Sequence, residues 1–352
     1  MSFIPATILT GFLGSGKTTL LKRILAEAHG LRIAVIENEF GEENIDADIL
    51  VADVRENIVQ MSNGCVCCTI RDDLRTTLRE LSEGRRKGVL NFDRVVIETT
   101  GLADPGPVAQ TFFMDERLSE VFRLDSILTL VDAYHAPGQL NQRQEARRQV
   151  GFADRIFVSK ADLVEPDAVN ALRRRLVQMN PRAAQRMVHF GDVALSEVFD
   201  LHGFNLTATL DIDPAFLTGP AVHPHENTGD DDDDDDDHHQ HHSHGVDGGH
   251  PGHIDDVNSF VFREDRAFDP ARLERFFGRL VDEHGPRLLR YKGILHMHAT
   301  PRKVIFQGVH QLMSSDQGPK WAPDEIRQSR IVFIGIEMPE DLIRRGLEEC
   351  LV

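Results

Sequence analysis

Gly11-Phe12-Leu13-Gly14-Ser15-Gly16-Lys17-Thr18-Thr19 is the stretch that decides the fold. It satisfies G-x-x-x-x-G-K-[ST], and its flanks suit that motif. The apolar run Ala6-Thr7-Ile8-Leu9-Thr10 reads as a buried strand, and residues 18–27 read as a helix. Gly11, Gly14 and Gly16 let backbone N–H groups, those of Ser15 and Thr19 among them, converge on phosphate oxygens. The helix N-terminus adds favourable charge. Lys17 is placed to neutralise the β- and γ-phosphates, and Thr18 to hold Mg²⁺ through its hydroxyl. The bland alternative, a Gly-rich turn with an accidental Lys, leaves the match at every fixed position unexplained.

Three later strand ends carry further polar residues. Arg32-Ile-Ala-Val-Ile-Glu37 runs into a loop with Glu37, Glu39, Glu42 and Glu43. Carboxylates just past a strand end lie on the ligand-binding edge of an open α/β sheet. Asp93-Arg-Val-Val-Ile-Glu98 ends in Glu98-Thr99-Thr100-Gly101. There Glu98 would orient Mg²⁺ or its water, and the Gly101 N–H would sense a γ-phosphate. Ser126-Ile-Leu-Thr-Leu-Val-Asp132 is a further strand. Arg155-Ile-Phe-Val-Ser159 enters Ser159-Lys160-Ala161-Asp162, close to the Asn-Lys-x-Asp that specifies guanine. A carboxylate at Asp162 can accept from the ring N–H and the 2-amino group, a donor pair adenine lacks. Ser159 replaces the usual Asn, so a buttressing amide is absent. These features predict GTP, with Lys17 and Glu98 as the groups acting on its phosphates.

Cys65-Val66-Cys67-Cys68 holds three of the four cysteines, in a turn before a helix read over residues 71–81. That position favours thiolates. In a reducing compartment the cluster points to a metal rather than to disulfides. Cys65 and Cys68 also stand at Cys-x-x-Cys spacing, so a redox role is the lesser alternative. No second Cys or His pair follows at zinc-finger spacing, so the site is incomplete and suits an exchangeable metal.

The chain has 352 residues, with 39 basic against 57 acidic and a net charge of -18. This balance argues against nucleic acid or an anionic membrane as partner. No stretch has the length of a membrane-spanning helix, and the start has no signal-peptide pattern, so the expected location is cytoplasmic. Alternating strands and helices predict an α/β fold: a P-loop NTPase with a mostly parallel, doubly wound sheet over residues 1–213. Residues 214–256 hold eight consecutive Asp (230–237) and nine of the seventeen His. Such a segment reads as a disordered Asp/His-rich linker able to collect Zn²⁺, Ni²⁺ or Cu²⁺. Residues 257–352 predict a smaller α+β domain, with His296 and His298 alternating on a strand over 288–299. Trp321 reads as a packing anchor and Cys350 as no ligand.

The phosphate loop, Glu37-Asn-Glu-Phe-Gly41, Asn63-Gly-Cys-Val-Cys-Cys68, Glu98-Thr-Thr-Gly101 and Ser159-Lys-Ala-Asp162 occur in that order. The set resembles the CobW family of GTPases, in its zinc-chaperone-like, YjiA-type branch, over nearly the whole chain. The resemblance implies a protein that binds GTP, hydrolyses it slowly and carries a transition metal, usually Zn²⁺, to a client metalloprotein. By position, it implies that Gly14 to Thr19 hold phosphate and Mg²⁺, and that Glu98 and Gly101 form the Walker-B-like segment. It assigns guanine to Lys160 and Asp162. It assigns the metal to Cys65, Cys67 and Cys68, joined by Glu37 and Glu42. Some members handle cobalt, which leaves Co²⁺ beside Zn²⁺. The alternatives are a zinc buffer with regulatory nucleotide binding, a cobalt-loading enzyme activator, and an ATP-dependent kinase, the last disfavoured by Asp162. No Gln that orients water and no arginine finger is evident, so turnover is expected to be slow unless a partner or a second subunit in a homodimer supplies one.

Overall fold

The computed structural model describes residues 3–27, 30–37, 58–62, 70–204 and 256–352. The chain runs β1 (Ile4–Gly11), α1 (Lys17–Ala26), β2 (Ile33–Glu37), β3 (Ile58–Ser62), α2 (Ile70–Arg86) and β4 (Arg94–Glu98). It continues with α3 (Pro105–Met114), α4 (Glu116–Ser119), β5 (Phe122–Asp132), α5 (Ala136–Gln142), α6 (Gln144–Phe152), β6 (Arg155–Ser159), α7 (Pro166–Met179) and β7 (Ala184–Val188). The last third holds β8 (Val257–Glu264), α8 (Pro270–His284), β9 (Leu288–Leu295), β10 (Arg302–Val309), β11 (Leu312–Lys320), β12 (Ser329–Ile336) and α9 (Glu340–Glu348).

The first seven strands form one sheet in the order β3-β2-β4-β1-β5-β6-β7. Every pairing in it is parallel. Parallel strands are covered by helices on both faces, which is why β2 and β4 are apolar along nearly their whole length and buried at all five positions. The doubly wound α/β expectation is met. The chain moves out from β1 to one side and returns to β5 on the other. The crevice at the carboxyl ends of β1, β4 and β5 is therefore the topological switch point.

The second sheet is antiparallel, in the order β11-β10-β9-β12-β8. Residues of β12 alternate between two cores. Ile331 and Phe333 pack with Phe276, Phe277 and Ile343 of α8 and α9, while Val332 and Ile334 join the core of the parallel sheet. Both faces of this strand are therefore dry, which explains its unbroken apolar run. Asp269 caps α8 by accepting from the Arg272 N–H, with Pro270 in the first turn.

The two sheets meet across α6 and α7, and Arg290 of β9 pins the junction. Its guanidinium donates to Asp154 Oδ1 at 2.6 Å, to the Phe152 carbonyl at 3.0 Å and to the Gly203 carbonyl at 3.3 Å. It also lies 4.3 Å from the Phe204 ring centroid. Asp154 in turn accepts the Ile127 N–H of β5. Both ionic side chains are almost wholly buried, so removal of either strands a charge. Arg290→Ala should lower unfolding stability by about 3–5 kcal/mol. Urea denaturation of both proteins measures the loss, and a change below about 1 kcal/mol would show the pair to be dispensable.

Candidate functional site

The register of the parallel sheet collects the polar strand ends at one edge. Glu37 pairs with Glu98 across β2 and β4, and with Ser62 on the other side. Gly11 pairs with Leu130, and Asp132 with Ser159. At the end of β1 the backbone of Gly11 adopts φ 140°, and a Cβ there would stand 2.4 Å from the Leu130 carbonyl oxygen. Only glycine fits so close an approach to β5. The loop then turns into α1 at Gly16, where, among the described residues, no side chain caps the helix. Lys17 is buried, and its ammonium donates to the Gly11 carbonyl at 2.9 Å and the Phe12 carbonyl at 3.4 Å. Thr18 donates its hydroxyl hydrogen to Glu98 Oε1 at 2.9 Å.

Past Glu98, the Thr99 N–H bonds to the Leu9 carbonyl and the Thr99 hydroxyl to Thr10 Oγ1. Gly101 lies against the phosphate loop: a Cβ there would come within 2.5 Å of the Leu13 nitrogen. Glu37 and Glu98 are both buried, on neighbouring strands in register. Adjacent strands lie about 4.8 Å apart, so two carboxylates here concentrate negative charge beside the Thr18 hydroxyl. This set of hard oxygen donors fits Mg²⁺.

The other end of the crevice is built on Asp132, which is 1 % exposed. Its Oδ1 accepts the N–H groups of Tyr134 and His135, and its Oδ2 accepts Lys160 Nζ at 2.6 Å beside His135 Nδ1 at 2.9 Å. Burial pushes the Asp132 carboxyl up, but Lys160, His135 and the backbone donors outweigh it and hold it below the usual carboxylate range. Lys160 has left-handed backbone, φ 55°, and also donates to the Gly14 carbonyl at 2.8 Å. Ser159 supplies the buttress expected to be missing. Its hydroxyl donates to the Ser15 carbonyl of the phosphate loop at 2.8 Å, doing with an O–H what an amide would do. Asp162 remains half exposed at the mouth, with His189 Nδ1 3.5 Å from its Oδ1.

The structure thus brings Gly11, Gly14, Ser15, Gly16, Lys17, Thr18, Thr19, Glu37, Glu98, Gly101, Lys160 and Asp162 to one edge. Cys65, Cys67, Cys68 and Glu42 lie outside the described residues. So does the Asp/His-rich stretch before Asp256. The described chain leaves the sheet at Ser62, beside Glu37, and resumes at Ile70. Among the described residues no group of three His, Cys, Asp or Glu is placed to hold a metal ion. Sequence reasoning gave no role to Asp132, although it ends a strand that was read, nor to His189.

In the second domain one expectation is corrected. β9 ends at Leu295, so His296 and His298 do not share a strand face. His296 Nδ1 instead lies 3.0 Å from the Asp265 carbonyl, and the two residues flank a bridge at Met297. Trp321 is buried, with Lys303 over its ring. Cys350 is buried too and donates to the Gly346 carbonyl, and burial raises its thiol pKa. Among the described residues no helix is long and apolar enough to cross a membrane.

A parallel sheet with a phosphate loop at its central strand, a Thr–carboxylate pair beside it and a Ser-Lys-x-Asp turn two strands away defines a P-loop nucleotide-binding protein. Residues 5–186 match the CobW/HypB/UreG nucleotide-binding domain, and residues 257–351 match the cobalamin synthesis protein CobW C-terminal domain. The chain belongs to the CobW family, as the ordered motifs implied. It is 40% identical over 344 residues to the zinc chaperone YjiA of Escherichia coli K12, covering 98% of each chain. It is 33% identical over 381 residues to the zinc chaperone CobW of Pseudomonas aeruginosa, covering 99% of this chain and 92% of that one. The crystal structure of the Zn(II)-bound YjiA GTPase from E. coli matches with a TM-score of 0.77 at 36% identity, with both chains fully covered.

Asp132 gives a pH test of this site. Its depressed folded pKa contributes stability above its unfolded value, near pH 4, and that contribution is lost as pH falls through the folded value. Asp132→Asn should therefore cost about 1–3 kcal/mol at pH 7, with the gap to wild type closing below about pH 4. Thermal melts across pH check it; a gap independent of pH would contradict the assignment.

Proposed function

We propose that this protein is a GTP-hydrolysing metallochaperone that binds a transition metal, zinc first, at the Cys65–Cys67–Cys68 motif and couples its transfer to GTP hydrolysis. The observation that carries this reading is the in-register pair Glu37 and Glu98. One carboxylate accepts from the phosphate-loop residue Thr18, and the other stands on the next strand, paired with Ser62 of β3, from which the chain enters the cysteine segment. A nucleotide-dependent change at Glu98 is then felt electrostatically at Glu37. The printed names of the relatives, zinc chaperone and GTPase, support the same reading.

In this scheme residues 1–213 are the GTPase domain, 214–256 an Asp/His-rich linker and 257–352 a C-terminal domain. Gly11 and Gly14 to Thr19 cradle the phosphates, and Lys17 turns from the Gly11 carbonyl to the β- and γ-phosphates. Thr18 and Glu98 would hold Mg²⁺, which when bound neutralises charge on the transferring phosphate. The Gly101 N–H faces the γ-phosphate. The Lys160 stem lies along the base, and Asp162 accepts its two N–H groups. Glu37 and Glu42 complete the cysteine site. Zn²⁺ is the cargo, with Co²⁺ the competing metal. A client metalloprotein receives it, in the cytoplasm, and a homodimer would supply any catalytic arginine in trans. Because one edge serves both nucleotide and metal, each must alter the affinity of the other by the same factor.

Two measurements test this. Zinc titration with GDP and with a non-hydrolysable GTP analogue should give affinities differing about tenfold, the order of ordinary allosteric coupling. Cys67→Ala should weaken zinc in both states. Equal affinities would leave only a metal buffer. Asp162→Ala should lower the preference for GTP over ATP by about 10–100-fold, since it removes two hydrogen bonds to a charged group; an unchanged preference would place base recognition elsewhere.

A further inference from the structure

Helix α6 carries none of the motifs, yet it holds the loop after Glu98. Gln149 is 1 % exposed, and its Nε2 donates to the Gly101 carbonyl at 3.1 Å and to the Ala103 carbonyl at 3.0 Å. The two amide hydrogens of a Gln suffice for these two acceptors. The Gln149 backbone is itself held, because its carbonyl accepts the hydroxyl of Thr129, a buried residue of β5, at 2.8 Å. Beside it, Arg148 donates to Asp104 Oδ2 at 2.6 Å, and Asp104 Oδ1 caps α3 by accepting the Gly106 N–H. Gly101 is thus wedged between Leu13 of the phosphate loop on one side and a fixed buried amide on the other.

We infer that Gln149 is the positioning residue of the γ-phosphate-sensing loop, setting how well the protein distinguishes GTP from GDP. The inference rests on the reading above that the Gly101 N–H faces the γ-phosphate. Gln149 touches no phosphate. It acts by holding the Gly101 and Ala103 carbonyls, which pins the Gly101–Leu102 and Ala103–Asp104 peptide planes and, through the first, the Gly101 backbone that carries the N–H. A loop oriented in advance loses less conformational freedom when a γ-phosphate binds. GDP presents no γ-phosphate, so its affinity does not draw on that orientation. The sequence-level rule that seeks a Gln beside the phosphate loop misses it, because this Gln works from behind.

Gln149→Met keeps length and neutrality but removes both donors. Gln149→Glu keeps shape and converts the donor into a carboxylate facing two carbonyls. For both, affinities for GDP and for a non-hydrolysable GTP analogue are measured with Mg²⁺ present, after circular dichroism and a thermal melt. The expected result is GDP affinity within about twofold of wild type and analogue affinity lowered about tenfold, the size typical of losing a buried hydrogen-bonding partner. Equal losses for both nucleotides, or no loss for either, overturn the inference. If Gln149→Glu does not fold, Gln149→Met carries the test alone. Gly101→Ala separates the two layers. If it leaves analogue affinity unchanged, the reading of Gly101 fails. If it lowers analogue affinity more than GDP affinity while Gln149→Met does not, this inference alone fails; equal losses for both nucleotides report the clash with Leu13 and count against the reading of Gly101.

Discussion

Two buried carboxylates held side by side by strand register are the constraint around which this molecule is arranged. Glu37 and Glu98 end adjacent parallel strands, and parallel pairing leaves them no freedom to separate. Like charges so placed in a low-dielectric edge repel, and the arrangement favours whatever brings positive charge or donors. The Thr18 hydroxyl is one such donor, and the N-terminus of α1 points its dipole at the same edge. The proposed function has this one feature serve both the Mg²⁺ of a nucleotide and a transition-metal cargo.

The opposite end of the crevice solves a complementary problem. There a single buried carboxylate, Asp132, gathers an ammonium, an imidazole and two backbone N–H groups. Lys160 is thereby fixed over the phosphate loop through the Gly14 carbonyl, and Ser159 ties the end of β6 to the Ser15 carbonyl. The Ser159–Asp162 turn and the phosphate loop are thereby tied together. Asp162 stands half exposed at the mouth, on a turn that its neighbours hold in place. A Ser serves at position 159 because the hydroxyl reaches that carbonyl directly.

Much of this was legible in the sequence, and the gaps have physical causes. The parallel strands were readable because two-sided burial makes them continuously apolar, and the motifs at their ends fixed the edge. Asp132 was visible as a strand end but gave no motif, since its partners come from two separate stretches, Tyr134–His135 and Lys160. Helix α6 was not read. Its buried positions include Gln149 and Gly151, which break the apolar stripe that periodicity detects. β11 was missed because it is an edge strand with mostly exposed polar residues and no alternation. α3 begins Pro105-Gly-Pro, which resembles a loop until Asp104 is recognised as its cap. The strand that was expected to hold His296 and His298 stops at Leu295, because those residues turn to meet Phe268 across the sheet end.

The unread helix is also where the two domains become one machine. Its Gly151 packs so tightly that a Cβ would stand 2.6 Å from Leu289 of the antiparallel sheet. Arg147 pairs with Asp256 at the entrance to β8, and the Phe152 carbonyl accepts from Arg290. Two residues of the same helix, Arg148 and Gln149, grip the loop from Gly101 to Asp104. Close-packed interiors transmit displacement rather than absorbing it. A shift of the 101–104 loop must therefore either break the two Gln149 bonds or move α6, whose Gly151 lies in close contact with Leu289 of the antiparallel sheet. Helix α6 thus ties the loop after Glu98 to the antiparallel sheet, with Arg148 and Gln149 toward the loop and Gly151 toward Leu289 of the sheet.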